Sequence, residues 1–132
     1  MRALVTDDSR AMRRIITGML AEVGMTTAEA GNGREALDLL EQRGVGGPDG
    51  FDLICIDWNM PVLDGLQLVG QIRRRREWRN LTMMMITSES EHSQVVRALA
   101  AGAHEYLIKP FTAEQLREKV ELLGLVEPGQ GA

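Results

Sequence analysis

Apolar positions along this chain fall into two alternating patterns. Short runs, ALVT (3–6), TTAEA (26–30), DLICID (52–57), TMMMIT (82–87) and EYLIK (105–109), read as strands, with TTAEA the weakest of them. Between the runs, apolar residues recur at helical spacing. Met12, Ile15, Ile16, Met19, Leu20 and Val23 share one face of a first helix, with Ser9 as its N-cap and Gly24 as its stop. Ala36, Leu37 and Leu40 mark a second helix, ending near Gly44, and Leu66, Val69 and Ile72 a third. Val95, Val96, Leu99 and Ala100 mark a fourth, closed by Gly102. Leu116, Val120 and Leu123 mark a fifth behind an N-cap at Thr112. The order βαβαβαβαβα predicts an α/β fold, a parallel sheet with helices on both faces. The central runs are apolar throughout rather than alternating, as strands covered on both sides must be.

Composition narrows the picture. At 132 residues the expectation is one domain over 1–126, a short polar tail at 127–132 and no output domain. A net charge of −4 argues against a nucleic-acid partner. No apolar run approaches the ~20 residues of a membrane span, and Asp7 and Asp8 interrupt any signal-like N-terminus. The expected compartment is the cytoplasm, without membrane attachment. The one cysteine, Cys55, lies in an apolar run and reads as a small buried hydrophobe. Met83, Met84 and Met85 read as core filling, and RGVGGPDG (43–50) as a mobile loop. Trp58 reads as an aromatic flanking the Asp57 segment and Trp78 as a packing residue, while His92 and His104 lack metal-ligand spacing. The basic stretch RRRREWR (73–79), including the Arg73–Arg76 cluster, has two readings. One is a docking site for an anionic partner. The favoured one is the solvated end of the third helix, where cations complement the helix dipole.

Candidate chemistry is concentrated at one edge. Ligands of open parallel sheets bind beyond the carboxyl ends of the strands. The first strand delivers Asp7 and Asp8 there, the third Asp57, the fourth Thr87 beside Ser88, and the fifth Lys109 before Pro110. Each has an ordinary structural use by itself: Asp8 as a cap, Asp57 in an Asx-turn, Lys109 as a surface ion-pair partner, Thr87 as a β-former. Their joint arrival from four strands suits a divalent cation and a phosphoryl group. Clustered carboxylates are relieved by a hard cation, a carboxylate can carry a phosphoryl group, and an ammonium and a hydroxyl can hold its oxygens.

The motifs VTDDS, ICIDWNMPVLDG, MITSES and YLIKPF resemble the receiver domain of two-component response regulators, of the stand-alone chemotaxis type. The resemblance runs from about Ala3 to Leu123. It implies a flavodoxin-like (βα)5 fold, doubly wound in three αβα layers, with strand order 2-1-3-4-5. It implies that Asp57 accepts a phosphoryl group from a sensor histidine kinase or a phosphotransfer protein. Asp8, Asp57 and the Asn59 backbone carbonyl would ligate Mg²⁺, for which Mn²⁺ can substitute, and Asp7 would act through a metal-bound water. Thr87 and Lys109 would contact phosphoryl oxygens, and Tyr106 takes the aromatic switch position. Asn59 and Glu89 would flank the approach of hydrolytic water. The Lys109–Pro110 bond would be cis. A monomer is implied, with a downstream protein target on the face of helix four, strand five and helix five. Three features depart from the pattern: Thr6 where aliphatics are common, the long loop 43–50, and Glu91 and His92 where chemotaxis prototypes are basic. Competing readings are an aspartyl-nucleophile phosphatase, whose DxD spacing TDDS lacks, and a receiver acting as an unphosphorylated scaffold. A dinucleotide-binding domain would need a Gly-rich turn after the first strand, and none is there.

Overall fold

A computed structural model describes residues 1–88 and 93–127. The chain order is β1 (Arg2–Thr6), α1 (Arg10–Glu22), β2 (Thr26–Ala30), α2 (Gly33–Arg43), β3 (Leu53–Asp57), α3 (Gly65–Arg73), β4 (Thr82–Ser88), α4 (Val95–Ala101), β5 (Glu105–Lys109) and α5 (Ala113–Leu122), with a 3₁₀ turn at Arg76–Trp78 between α3 and β4. The five strands pair in parallel in the order β2-β1-β3-β4-β5. This is the expected doubly wound sheet, and β1 and β3 flank its switch point.

The continuous apolar strands are explained by two cores. Leu4, Ile54, Ile56, Met83 and Met85 point to the side covered by α2, α3 and α4. Ala3, Val5, Leu53, Cys55, Met84 and Ile86 point to the side covered by α1 and α5. Successive residues of a strand alternate faces, so a strand buried on both faces has no polar position left. The three consecutive methionines are buried core, as expected. Burial pushes the Cys55 thiol up to about 12, which makes it chemically inert.

Local signals set the helix ends. Ser9, Asn32, Asp64 and Thr112 each accept a backbone N–H from three residues on. Asp64 with Gln67, and Thr112 with Gln115, close reciprocal capping boxes. Ser9 thus takes the cap of α1, and Asp8 is left free of that duty.

Two expectations about helix faces fail. Ile15 is half exposed, and in α4 the buried residues are Val95 and Ala98, while Val96 is 71% exposed and Leu99 37%. Helix α4 is only seven residues long, and periodicity over two turns does not fix its rotation. Its apolar side chains at 96 and 99 face outward instead.

The Arg73–Arg76 stretch also differs from a solvated helix end. Arg73 is partly buried, and its guanidinium donates to the carbonyls of Gly102, Arg79 and Leu81. Arg75 pairs with Glu41 and Glu77 and lies over the Trp78 ring, itself buried. Carbonyls at the C-terminal end of α4 and in the segment leading into β4 account for this use of a long cation. The loop 43–50 lies at the opposite edge from Asp57, where Arg2 donates to the Pro48 carbonyl and Gly46 N–H to Phe51 O.

Candidate functional site

The carboxyl edge of the sheet collects the acidic residues. Asp7 follows the last residue of β1 and is buried; Asp57 ends β3 and is 6% exposed; Asp8 is exposed. One carboxylate oxygen from each of the three lies within 4.8 Å of the others. Lys109, the last residue of β5, reaches across β4. Its ammonium donates to Asp7 Oδ2 and Asp57 Oδ1, each at 3.2 Å. Thr87, next to last in β4, is buried, and its hydroxyl donates to the Ser88 carbonyl at 3.4 Å.

The backbone explains why these groups meet. Asp57 pairs in register with Ile86, and Thr87 with Ile108, so the strands end level. The β3–α3 turn folds back tightly: the Gly65 N–H donates to the Trp58 carbonyl, and a Cβ at Gly65 would lie 2.6 Å from the Asp57 carbonyl oxygen. Only glycine fits there. Asn59 is exposed on this turn, and Trp58 is buried under it. The Lys109–Pro110 bond is cis. Glu89, Glu91 and His92 lie outside the described residues.

Electrostatics follow from this crowding. Burial, then the charge of Asp7, pushes the Asp57 carboxyl up to about 6, against the pull of Lys109. Burial works against the Lys109 ammonium, but the charges of Asp57 and Asp7 outweigh it and raise its pKa. Three acids and one ammonium leave the cluster short of positive charge. The donor set is all oxygen and carboxylate-rich, which fits a hard divalent cation rather than a soft one.

A family comparison agrees with this geometry. The sequence profile described as "Response regulator receiver domain" matches residues 3–121. The chain belongs to the response-regulator receiver family. Members of the type it resembles are signalling proteins rather than conventional enzymes. The receiver is 39% identical over 122 residues to the chemotaxis protein CheY of Pseudomonas aeruginosa, covering 92% of this chain and 94% of that one. It is 38% identical to a CheY homolog of Campylobacter jejuni over 100% of this chain and 98% of that one. The solved structure of Vibrio cholerae chemotaxis protein CheY4 superposes with a TM-score of 0.80 at 30% identity, over 92% of this chain and 96% of that one. No helix among the receiver's described residues is long and apolar enough to cross a membrane.

Some residues that shape the site were not legible in the sequence. Arg13 donates to the backbone carbonyl of Asp7 at 2.7 Å and pairs with Glu29 at the end of β2. The Ser9 N–H donates to Asp7 Oδ1 at 2.9 Å. Together they hold the Asp7 backbone and carboxylate before any ligand arrives. Their signal, a basic residue one turn into α1 and an acid ending the neighbouring strand, is recognisable only once the strand order is known.

Proposed function

We propose that this receiver is the phosphoacceptor of a two-component relay. Asp57 takes a phosphoryl group from a phosphohistidine on a sensor histidine kinase or phosphotransfer protein. The observation that supports this most is the Asp7–Asp57–Lys109 cluster, built from three strands with Asp8 and Thr87 at its rim. A carboxyl group near 6 is mostly ionised at neutral pH, so an Asp57 oxygen is available as nucleophile. The new O–P bond forms as the phosphorus–nitrogen bond of the donor breaks, and the imidazole leaves with that electron pair.

Asp8, Asp57 and the Asn59 carbonyl would hold Mg²⁺, or Mn²⁺ in its place, with Asp7 acting through a bound water. When bound, that cation neutralises the carboxylates and the transferring phosphoryl oxygens. Lys109 exchanges its bond to Asp57 for one to a phosphoryl oxygen, and Thr87 donates to another. Hydrolysis of the acyl phosphate is open to water beside the exposed Asn59; Glu89 is the second residue proposed to tune it.

The readout is proposed on the face formed by α4, β5 and α5. Tyr106 is half-buried there, with the Lys119 ammonium 4.9 Å from its ring centre. Movement of Thr87 toward the phosphoryl group frees space for the ring. Outward-facing Val96 and Leu99 give the same face apolar contacts for a downstream protein. Kinship with chemotaxis proteins supports chemotactic signalling in the cytoplasm as the process, with the receiver acting as a monomer.

Beryllofluoride, which mimics an aspartyl phosphate, tests the scheme by NMR. With Mg²⁺ it should shift resonances at Thr87, Lys109, Tyr106 and along α4. Asp57→Asn should abolish every shift, and Thr87→Ala should shrink the Tyr106 response. A Tyr106 signal unmoved at saturation would overturn the switch, and shifts retained in Asp57→Asn would overturn the acceptor.

A further inference from the structure

Away from the acidic edge, α3 and α4 leave an open groove between them. Its cavity of about 660 Å³ is lined by Gly70, Gln71 and Arg74 from α3 and its end, and by Arg97, Ala100 and Ala101 from α4. The two helices run in the same direction, since each returns across a parallel sheet. Their C-terminal ends meet where Arg73 Nε donates to the Gly102 carbonyl at 3.2 Å. Arg74 therefore stands at that end of the groove. Arg97, in the first turn of α4, stands toward the other, offset roughly 8 Å along the helix axes by helical rise.

Several observations point to a ligand. Neither Arg74 nor Arg97 makes a side-chain hydrogen bond or ion pair among the described residues. Among the described residues no acidic side chain lines the groove, in a chain whose net charge is −4. The floor is low because its residues are small. A Cβ built on Gly70 meets nothing within 4 Å, so packing does not require glycine there. Glycine inside a helix is nevertheless unfavourable relative to alanine.

The shape and chemistry select among anions. Two guanidinium groups set one toward each end of an open groove suit two carboxylates carried along one chain. Among the described residues no aromatic side chain lines the cavity, so they offer no stacking platform for a nucleotide base. The groove is open along its length, unlike pockets that enclose most of a small ligand. We propose that the α3–α4 groove binds an extended acidic segment of a partner protein. One carboxylate pairs with Arg74, a second pairs with Arg97, and small or apolar residues lie over Gly70 and the two alanines. The Gln71 amide is placed to bond the backbone of such a segment. This assignment is independent of phosphorylation at Asp57.

The test is a ¹⁵N NMR titration of the full chain with the synthetic peptide acetyl-Glu-Ala-Ala-Glu-Ala-Ala-Glu-amide. In an extended polyproline II conformation, with three residues per turn, its glutamates fall on one side about 9 Å apart. Four comparisons accompany it: the same peptide with Gln for Glu, citrate, and two variants, Arg74→Glu/Arg97→Glu and Gly70→Leu. Arg74 and Arg97 are exposed and a Cβ at Gly70 meets nothing within 4 Å, and a dispersed spectrum verifies folding. The acidic peptide should give saturable shifts concentrated at Gly70, Gln71, Ala100 and Ala101. Affinity should fall at least tenfold in both variants and with the Gln peptide. Shifts scattered over surface arginines, or full binding by Gly70→Leu, would overturn the site. Equal shifts with citrate would make it a small-anion site and overturn the peptide assignment.

Discussion

Replacing Asp57 by asparagine should make the metal-free protein more stable, although it removes the proposed phosphoacceptor. The carboxyl is nearly buried beside Asp7, and its ionisation is moved from an ordinary 3.8 to about 6. At 1.36 kcal/mol per pH unit that displacement corresponds to about 3 kcal/mol. The folded state holds the proton more tightly than the unfolded chain. Stability from this group is therefore complete below pH 3.8, falls as pH rises to about 6, and stays lost above it. Asparagine keeps the shape without the charge, and Lys109 retains Asp7 at 3.2 Å, so no ammonium is orphaned. In EDTA, Asp57→Asn should gain about 3 kcal/mol at pH 7, about half of that at pH 5, and only about 0.5 kcal/mol at pH 4. Urea unfolding followed by the fluorescence of buried Trp58 and Trp78 measures this. With a slope of about 1.5 kcal/mol/M the midpoint shift at pH 7 is roughly 2 M. Mg²⁺ should narrow the gap by stabilising only the protein that retains Asp57. A loss of stability, or a gain equal at pH 4 and pH 7, would refute the reasoning.

Other expectations are simpler. Thr6 is buried and its hydroxyl has no hydrogen-bond partner among the described residues, so Thr6→Val should raise stability by about 1 kcal/mol in urea unfolding. Val62 sits at φ +70° with its side chain 79% exposed, a backbone region unfavourable to a β-branched residue. Val62→Asn should gain about 1 kcal/mol in the same assay, and a loss there would show that the strain is absent. His104 Nδ1 accepts the Met83 N–H at 3.0 Å, and burial, then Arg73, holds the ring's pKa below 6.5. The unfolded chain thus takes up a proton first as pH falls below 6.5, which lowers stability over that range. Measured in the Asp57→Asn background, this acid-side decline should flatten in His104→Gln; a decline left unchanged would exclude His104 as its source.

Much of the fold was legible because its signals are local. Strands covered on both faces must be apolar at every position, and caps at Ser9 and Thr112 depend on residues three apart. The site was legible because the parallel sheet sends every strand end to one edge. Misreadings arose where local pattern lacks information. Two turns of α4 cannot fix which apolar residues face in, so Val96 and Leu99 were placed on the wrong side. The role of Arg73 depends on carbonyls of Gly102 and Leu81, brought to it only by tertiary packing. Arg13 escaped notice for the same reason, since its partners Asp7 and Glu29 meet through strand pairing.

The most direct measurement is the intact mass of the protein after incubation with acetyl phosphate. With Mg²⁺, the wild-type chain should gain one phosphoryl group, located at Asp57 by borohydride reduction and peptide mapping. EDTA or Asp57→Asn should abolish the gain, and the modified form should decay within seconds to minutes once acetyl phosphate is removed. A phosphoryl adduct that persists in Asp57→Asn, or forms equally well in EDTA, would contradict the assignment of Asp57 as the phosphoacceptor.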